Sequence, residues 1–86
     1  MAPLILRDAL RKIPFEPFRL IQTDGQAYEV RHPDQVAVGA TTAVVGVYGP
    51  QAQDFPERFT TLDLLHVMRL EPLAVSSQQK GNGQQS

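Results

Sequence analysis

The 86-residue chain contains no cysteine. Disulfide staples, thiolate chemistry and cysteine-based zinc sites are therefore excluded, and stability rests on packing or on self-association. Tryptophan is also absent, and the aromatic complement is four Phe and two Tyr, barely enough for one small core. Charge of a single sign is missing too. Eight Lys/Arg against nine Asp/Glu, scattered without runs, leave a net charge of −1 and no long-range field toward nucleic acid or anionic lipid. The N-terminal apolar run Leu4-Ile5-Leu6 gives way at once to Arg7, Asp8, Arg11 and Lys12. That is too short for a signal-peptide core or a bilayer span, so the expectation is a soluble cytoplasmic protein with no membrane partner.

Within these bounds, 42% apolar and 20% charged residues are the composition of a folded chain. A chain of this length builds one small core, and residues 1–75 read as one domain. From Ser76 onward, "SSQQKGNGQQS" offers no apolar anchor and reads as a disordered tail, residues 76–86.

Residues 3–13 predict a helix: Pro3 suits a first turn, and Leu6, Ala9, Leu10 and Ile13 recur at helical spacing. Pro14 and Pro17 stop it and hold an elbow in which Phe15 and Phe18 bury their rings. The period then changes to two. "FRLIQT" meets Asp24-Gly25, a two-residue hairpin signal, and "QAYEVR" returns with Tyr28 and Val30 on one face. Pro33 interrupts the strand and "QVAVG" resumes it, giving one bent strand or two short ones. "AVVGVYG" reads as a central strand with a bulge or tight bend at Gly46. A polar loop spans 50–57. Two extended pieces, 58–63 and 67–71, flank a corner or single 3₁₀ turn at Leu64-Leu65-His66. One helix and about five short strands predict a mainly β fold, a small five-stranded Sm-like or SH3-like barrel closed at one end by the helix.

Two resemblances accompany this reading. Pro14-Phe15-Glu16-Pro17-Phe18-Arg19, Thr23-Asp24-Gly25, Val30-Arg31-His32-Pro33, Leu62-Asp63-Leu64-Leu65-His66-Val67 and Arg69-Leu70-Glu71-Pro72 resemble, over residues 10–73, the pattern of a group of small bacterial proteins. That resemblance implies no particular activity. From Phe18 to Leu73 the order of elements also resembles the Sm-like family, which includes bacterial Hfq, and the small inhibitor of the termination factor Rho. The second resemblance implies a small barrel and, as a function, nucleic-acid binding.

The candidate chemistry is sparse. His32 stands in Arg31-His32-Pro33-Asp34, and an imidazole near a carboxylate is raw material for a general base or a metal site. The same residues make a turn, with Pro33 fixing one dihedral and Asp34 able to bond nearby N–H groups. With no partnered nucleophile in sequence, the turn reading leads. His66 sits among apolar residues at the second corner. No HxH or HExxH spacing gathers His32 and His66 with Asp24, Asp34 or Asp63, so no metal and no other cofactor is expected. Asp24-Gly25 lacks the following helix that a phosphate cradle needs.

The leading expectation is therefore not an enzyme. It is an interaction module that binds a protein partner or itself, through strand edges and the 50–57 loop. Arg19, Tyr28, Arg31, His32, Phe55 and Arg58 are the candidate contacts. The alternative is an Sm-like RNA or nucleic-acid binder, using Tyr28 near Arg31, Phe18 beside Arg19, and Tyr48. The third is a small enzyme or metal-binding protein using His32 or His66.

Overall fold

In the computed structural model, which describes residues 1–50 and 54–73, helix α1 runs Pro3–Arg11 and stops two residues short of the expected end. The cause is Pro14, which disfavours helical geometry at Ile13. Lys12 is already extended at φ −62°, ψ 136°, and Ile13 is left 94% exposed. The Ile13–Pro14 peptide is cis, and beyond it the rings of Phe15 and Phe18 meet at 6.0 Å in a tilted arrangement.

Six strands follow: β1 (Phe18–Gln22), β2 (Ala27–Val30), β3 (Val36–Val38), β4 (Thr42–Val47), β5 (Arg58–Asp63) and β6 (Val67–Pro72). They form two three-stranded antiparallel sheets, in the orders β2-β1-β6 and β3-β4-β5. The fold is thus mainly β with one N-terminal helix, but the expected five-stranded closed barrel is corrected to two open sheets of three. Pro33 is one reason. A single 3₁₀ turn at Pro33–Gln35 cuts the bent strand into β2 and β3. β4 is central in its sheet, as its apolar sequence predicts. Residues 51–53 of the 50–57 loop and all of the tail from residue 76 lie outside the described residues.

Local turn chemistry fixes the register. The bond from the Gln22 N–H to the Gln26 carbonyl (2.8 Å) encloses three residues, so the Asp24-Gly25 signal yields a three-residue loop rather than two. Gly25 takes φ +91°, and the Asp24 carboxylate accepts from the Gln26 N–H at 2.9 Å, a loop with its glycine at the left-handed position. At the other corner Asp63 caps the 3₁₀ turn Leu64–His66 by accepting from the Leu65 N–H at 3.0 Å. No bulge lies at Gly46, where the β4–β5 register is regular. The bulge falls instead between β1 and β6, where pairing jumps from Ile21↔Arg69 to Gln22↔Val67 and skips Met68.

The core lies between the sheets and under the helix. Leu6, Leu20, Val30 and Val45 are fully buried, with Phe18, Val36, Ala43, Leu62, Leu64 and Val67 around them. Each such side chain contributes about 1.5–3 kcal/mol by leaving water.

The two sheets meet along one seam, between β2 and β4. Their closure depends on one side chain. The rung from the Gly39 N–H to the Thr42 carbonyl sets the phase of the β3–β4 ladder, and by alternation the next rungs fall at Ala37↔Val44 and Gln35↔Gly46. At that last rung the backbone has already turned into the 3₁₀ helix. The Gln35 side chain takes its place: Nε2 donates to the Gly46 carbonyl and to the Glu29 carbonyl, each at 2.7 Å, and Oε1 accepts from the Arg31 N–H at 2.9 Å. Gln35 is buried, and both its amide protons and its oxygen are satisfied, as burial requires.

Candidate functional site

Two adjoining recesses of about 260 and 380 Å³ open beside this seam and share Glu29, Arg31 and Tyr48. Tyr28 and Gln35 line the first, His32 and Gly49 the second. Three of the predicted contacts, Tyr28, Arg31 and His32, are therefore brought together. Tyr28 is half-buried on β2, paired with buried Leu20. Arg31 follows the strand, and His32 is the exposed residue that begins the 3₁₀ turn.

The electrostatics of the recess are largely committed. Arg31 donates to the Glu29 carboxylate at 2.8 Å. That hydrogen bond, more than the partial burial that opposes it, holds the Glu29 carboxyl below the usual glutamate range, and Arg19 acts in the same sense. No Ser, Thr or Lys lines either recess. The arrangement can hydrogen-bond a polar group and offer an aromatic face. It presents no activated nucleophile.

Arg19 lies elsewhere, on the outer face of the first sheet. There, Arg31, Glu29, Arg19, Glu71 and Arg69 alternate in sign across β2, β1 and β6, with contacts of 2.8, 3.5, 3.9 and 2.7 Å in that order. The register that sets Arg19 opposite both Glu29 and Glu71 builds this ladder. Three positive and two negative charges leave the row with a net +1, and Arg19, between both carboxylates, is a member of a solvated network rather than an uncommitted contact.

Arg58 and Phe55 fall in a third place, around the start of β5. Phe55 is exposed in the loop, and Arg58 opens the strand. Arg58 forms no ion pair among the described residues. β5 is paired on one side only, to β4. The bond from the Leu64 N–H to the Thr41 carbonyl at 2.9 Å sets the phase of this ladder, and alternation turns the backbone N–H and C=O groups of Phe59 and Thr61 to the open side. Phe59 on this strand is 66% exposed, and the exposed apolar side chains continue with Leu65 in the following corner at 82% and Met68 on β6 at 50%.

The open edge of β6 is differently made. The bond from the Leu73 N–H to the Pro17 carbonyl at 3.0 Å places Leu70 and Pro72 at outward rungs, and Pro72 has no N–H to offer. The bulge at Met68 and the Arg69–Glu71 ion pair lie on the same strand. Proline, a bulge and charge are the devices by which sheets blunt their edges. β5, "RFTTLD", carries neither proline nor bulge.

Four important residues are not among the predicted contacts. Phe59 had a signal in the sequence: three positions before buried Leu62, it must face the opposite side of the strand. Leu65 and Met68 depend on the corner and the bulge, and Gln35 on a ladder rung that no local pattern reveals. Among the described residues no three of His, Asp and Glu come together to hold a metal ion, and no helix is long and apolar enough to cross a membrane. Comparison of the chain with protein-family models, with curated proteins and with solved structures finds no match.

Proposed function

We propose that the protein is a non-enzymatic interaction module that binds a protein partner, in the first instance a second copy of itself, by adding a strand to the open edge of β5. One observation carries this reading. β5 is a six-residue edge strand with neither proline nor bulge and with charge only at its ends, Arg58 and Asp63, and its backbone groups at Phe59 and Thr61 turn to the unpaired side beside the exposed Phe59 ring. Strand addition supplies backbone hydrogen bonds for affinity and side-chain contacts for specificity. A small, unstapled core gains from the surface that such pairing buries. The order of elements, with a bent strand in two halves and a short corner before the last strand, supports kinship with the Sm-like small barrels. The test is sedimentation of the chain over a wide concentration range, with Phe59→Lys as comparison. Reversible association in the native chain, weakened by the variant, is the expected outcome.

A second reading is favoured by the grouping of Tyr28, Tyr48, Arg31 and His32 around the seam recesses. Aromatic faces beside basic groups suit single-stranded RNA, and polarisation with a labelled oligonucleotide at two salt concentrations tests it. Binding that weakens steeply with salt and is lost in Tyr48→Ala supports RNA recognition. Absence of binding at low salt removes it.

A further inference from the structure

A second, separate groove of about 490 Å³ runs between α1 and β3. Its apolar lining is Leu4 and Leu10 from the helix and Val36 and Val38 from the strand, with Arg7 and Arg11 on the helix wall. We propose that this groove takes an extended, acidic segment of another protein, which adds as a strand to the free edge of β3 and sets two carboxylates against Arg7 and Arg11. The inference rests on the reading that the chain works by binding proteins, but not on the β5 edge.

Three observations carry it. The first is backbone geometry. Ala37 is at a rung bonded to β4, so the N–H and C=O groups of Val36 and Val38 turn away from β4 toward the free edge. The second is charge. Arg7 and Arg11 stand one helical turn apart with the same sign, an unfavourable pairing on an isolated helix. Arg7 meets only its neighbour Asp8, at 3.9 Å, and Arg11 has no ion pair among the described residues. Carboxylates are the groups that guanidinium forks bind in bidentate geometry. One helical turn of four residues rises about 6 Å. Alternate residues of a strand are about 6.6 Å apart, so acidic residues two positions apart match the two arginines along the helix. The third is what the groove lacks. Its lining residues include no aromatic side chain, so a nucleic acid would find charge but no face on which to stack its bases.

The test uses the full chain and a fluorescein-labelled peptide of alternating valine and glutamate, read by fluorescence polarisation. Four comparisons accompany it: an alternating valine–lysine peptide, the valine–glutamate peptide N-methylated at alternate residues, the Arg7→Gln/Arg11→Gln variant with its fold checked by circular dichroism, and competition by oligouridine. The expected result is saturable binding of the valine–glutamate peptide, with no binding of the lysine peptide. Affinity should fall about tenfold or more on N-methylation, which removes backbone N–H donors, and again in the double variant, which removes the guanidinium partners, since losing a pair of neutral hydrogen bonds or one charge-assisted bond is worth a factor of that order. No saturable binding, equal binding of both charge types, indifference to the double variant, or displacement by oligouridine would each overturn the proposal. Sedimentation of the chain alone reports on the β5 edge and not on this groove, so failure of one reading is distinguishable from failure of the other.

Discussion

The seam between β2 and β4 and the open edges of β5 and β6 are built on opposite principles. Along β2 and β4 the gap left by the 3₁₀ turn is closed by Gln35, whose amide makes three hydrogen bonds of 2.7 to 2.9 Å and leaves no partner wanting. The outer edges of β5 and β6 have no strand partner among the described residues. One edge is blunted by Pro72 and a bulge, while the other presents free backbone groups and apolar side chains. The strands therefore form two open sheets and not a barrel. A single well-placed side chain, Gln35, substitutes for a missing rung between β2 and β4, and among the described residues the edges of β5 and β6 have no such substitute. The β2–β4 seam is satisfied internally, whereas the backbone groups of Phe59 and Thr61 on β5 have no strand partner among the described residues.

The strongest way to break this contrast is to open the closed seam. Gln35→Leu keeps the volume but strands the Glu29 and Gly46 carbonyls and the Arg31 N–H, at a cost of about 2–4 kcal/mol by the penalties for unpaired buried groups. A domain of this size has about 4–12 kcal/mol in total. Urea denaturation should therefore show a large fall in midpoint, and an unchanged midpoint would remove Gln35 from its assigned role.

Gly46→Ala attacks the same seam from the outer face. The new methyl would stand 2.9 Å from Pro56 Cγ and 3.4 Å from Phe59 Cε1. Overpacking of this kind costs about 1–3 kcal/mol, and thermal melting should report it. Phe59→Lys, on the open edge of β5, should instead change the stability of the separated monomer by no more than about 0.5 kcal/mol, as exposed substitutions do, while weakening association.

The smallest effect belongs to the charge ladder. Arg31 and Arg19 keep Glu29 below the ordinary value of 4.5, so the folded chain holds that proton less readily than the unfolded one. The resulting stability is fully present above that value and is lost as pH falls through the lowered one. With the Glu29 side chain 46% exposed, solvent screening limits it to a few tenths of a kcal/mol. Arg19→Ala should flatten this acid-side loss in denaturation curves at low salt, and high salt should hide the difference.

Much of the fold was legible in the sequence, through features that act locally. The prolines at 14 and 33, the Asp24-Gly25 turn and the two-residue alternation of Tyr28 and Val30 mark the elements nearly where they fall. What was not legible depends on partners distant in sequence. Gln35 reads as one more polar residue after "RHPD" until Gly46 stands opposite it, eleven positions away. The same distance effect made the sheets appear to close. Of the candidate contacts, Tyr28, Arg31 and His32 do converge, because one strand end carries all three. Arg19 is a candidate by its expected exposure and is held between Glu29 and Glu71, on strands whose pairing no local pattern reveals.

The open β5 edge is the central claim, and sedimentation of the native chain beside Phe59→Lys, over the same concentration range, tests it most directly. The account predicts concentration-dependent association of the native chain and its loss or marked weakening in the variant. A native chain that stays monomeric at every concentration, or a variant that associates as well as the native chain, would contradict it.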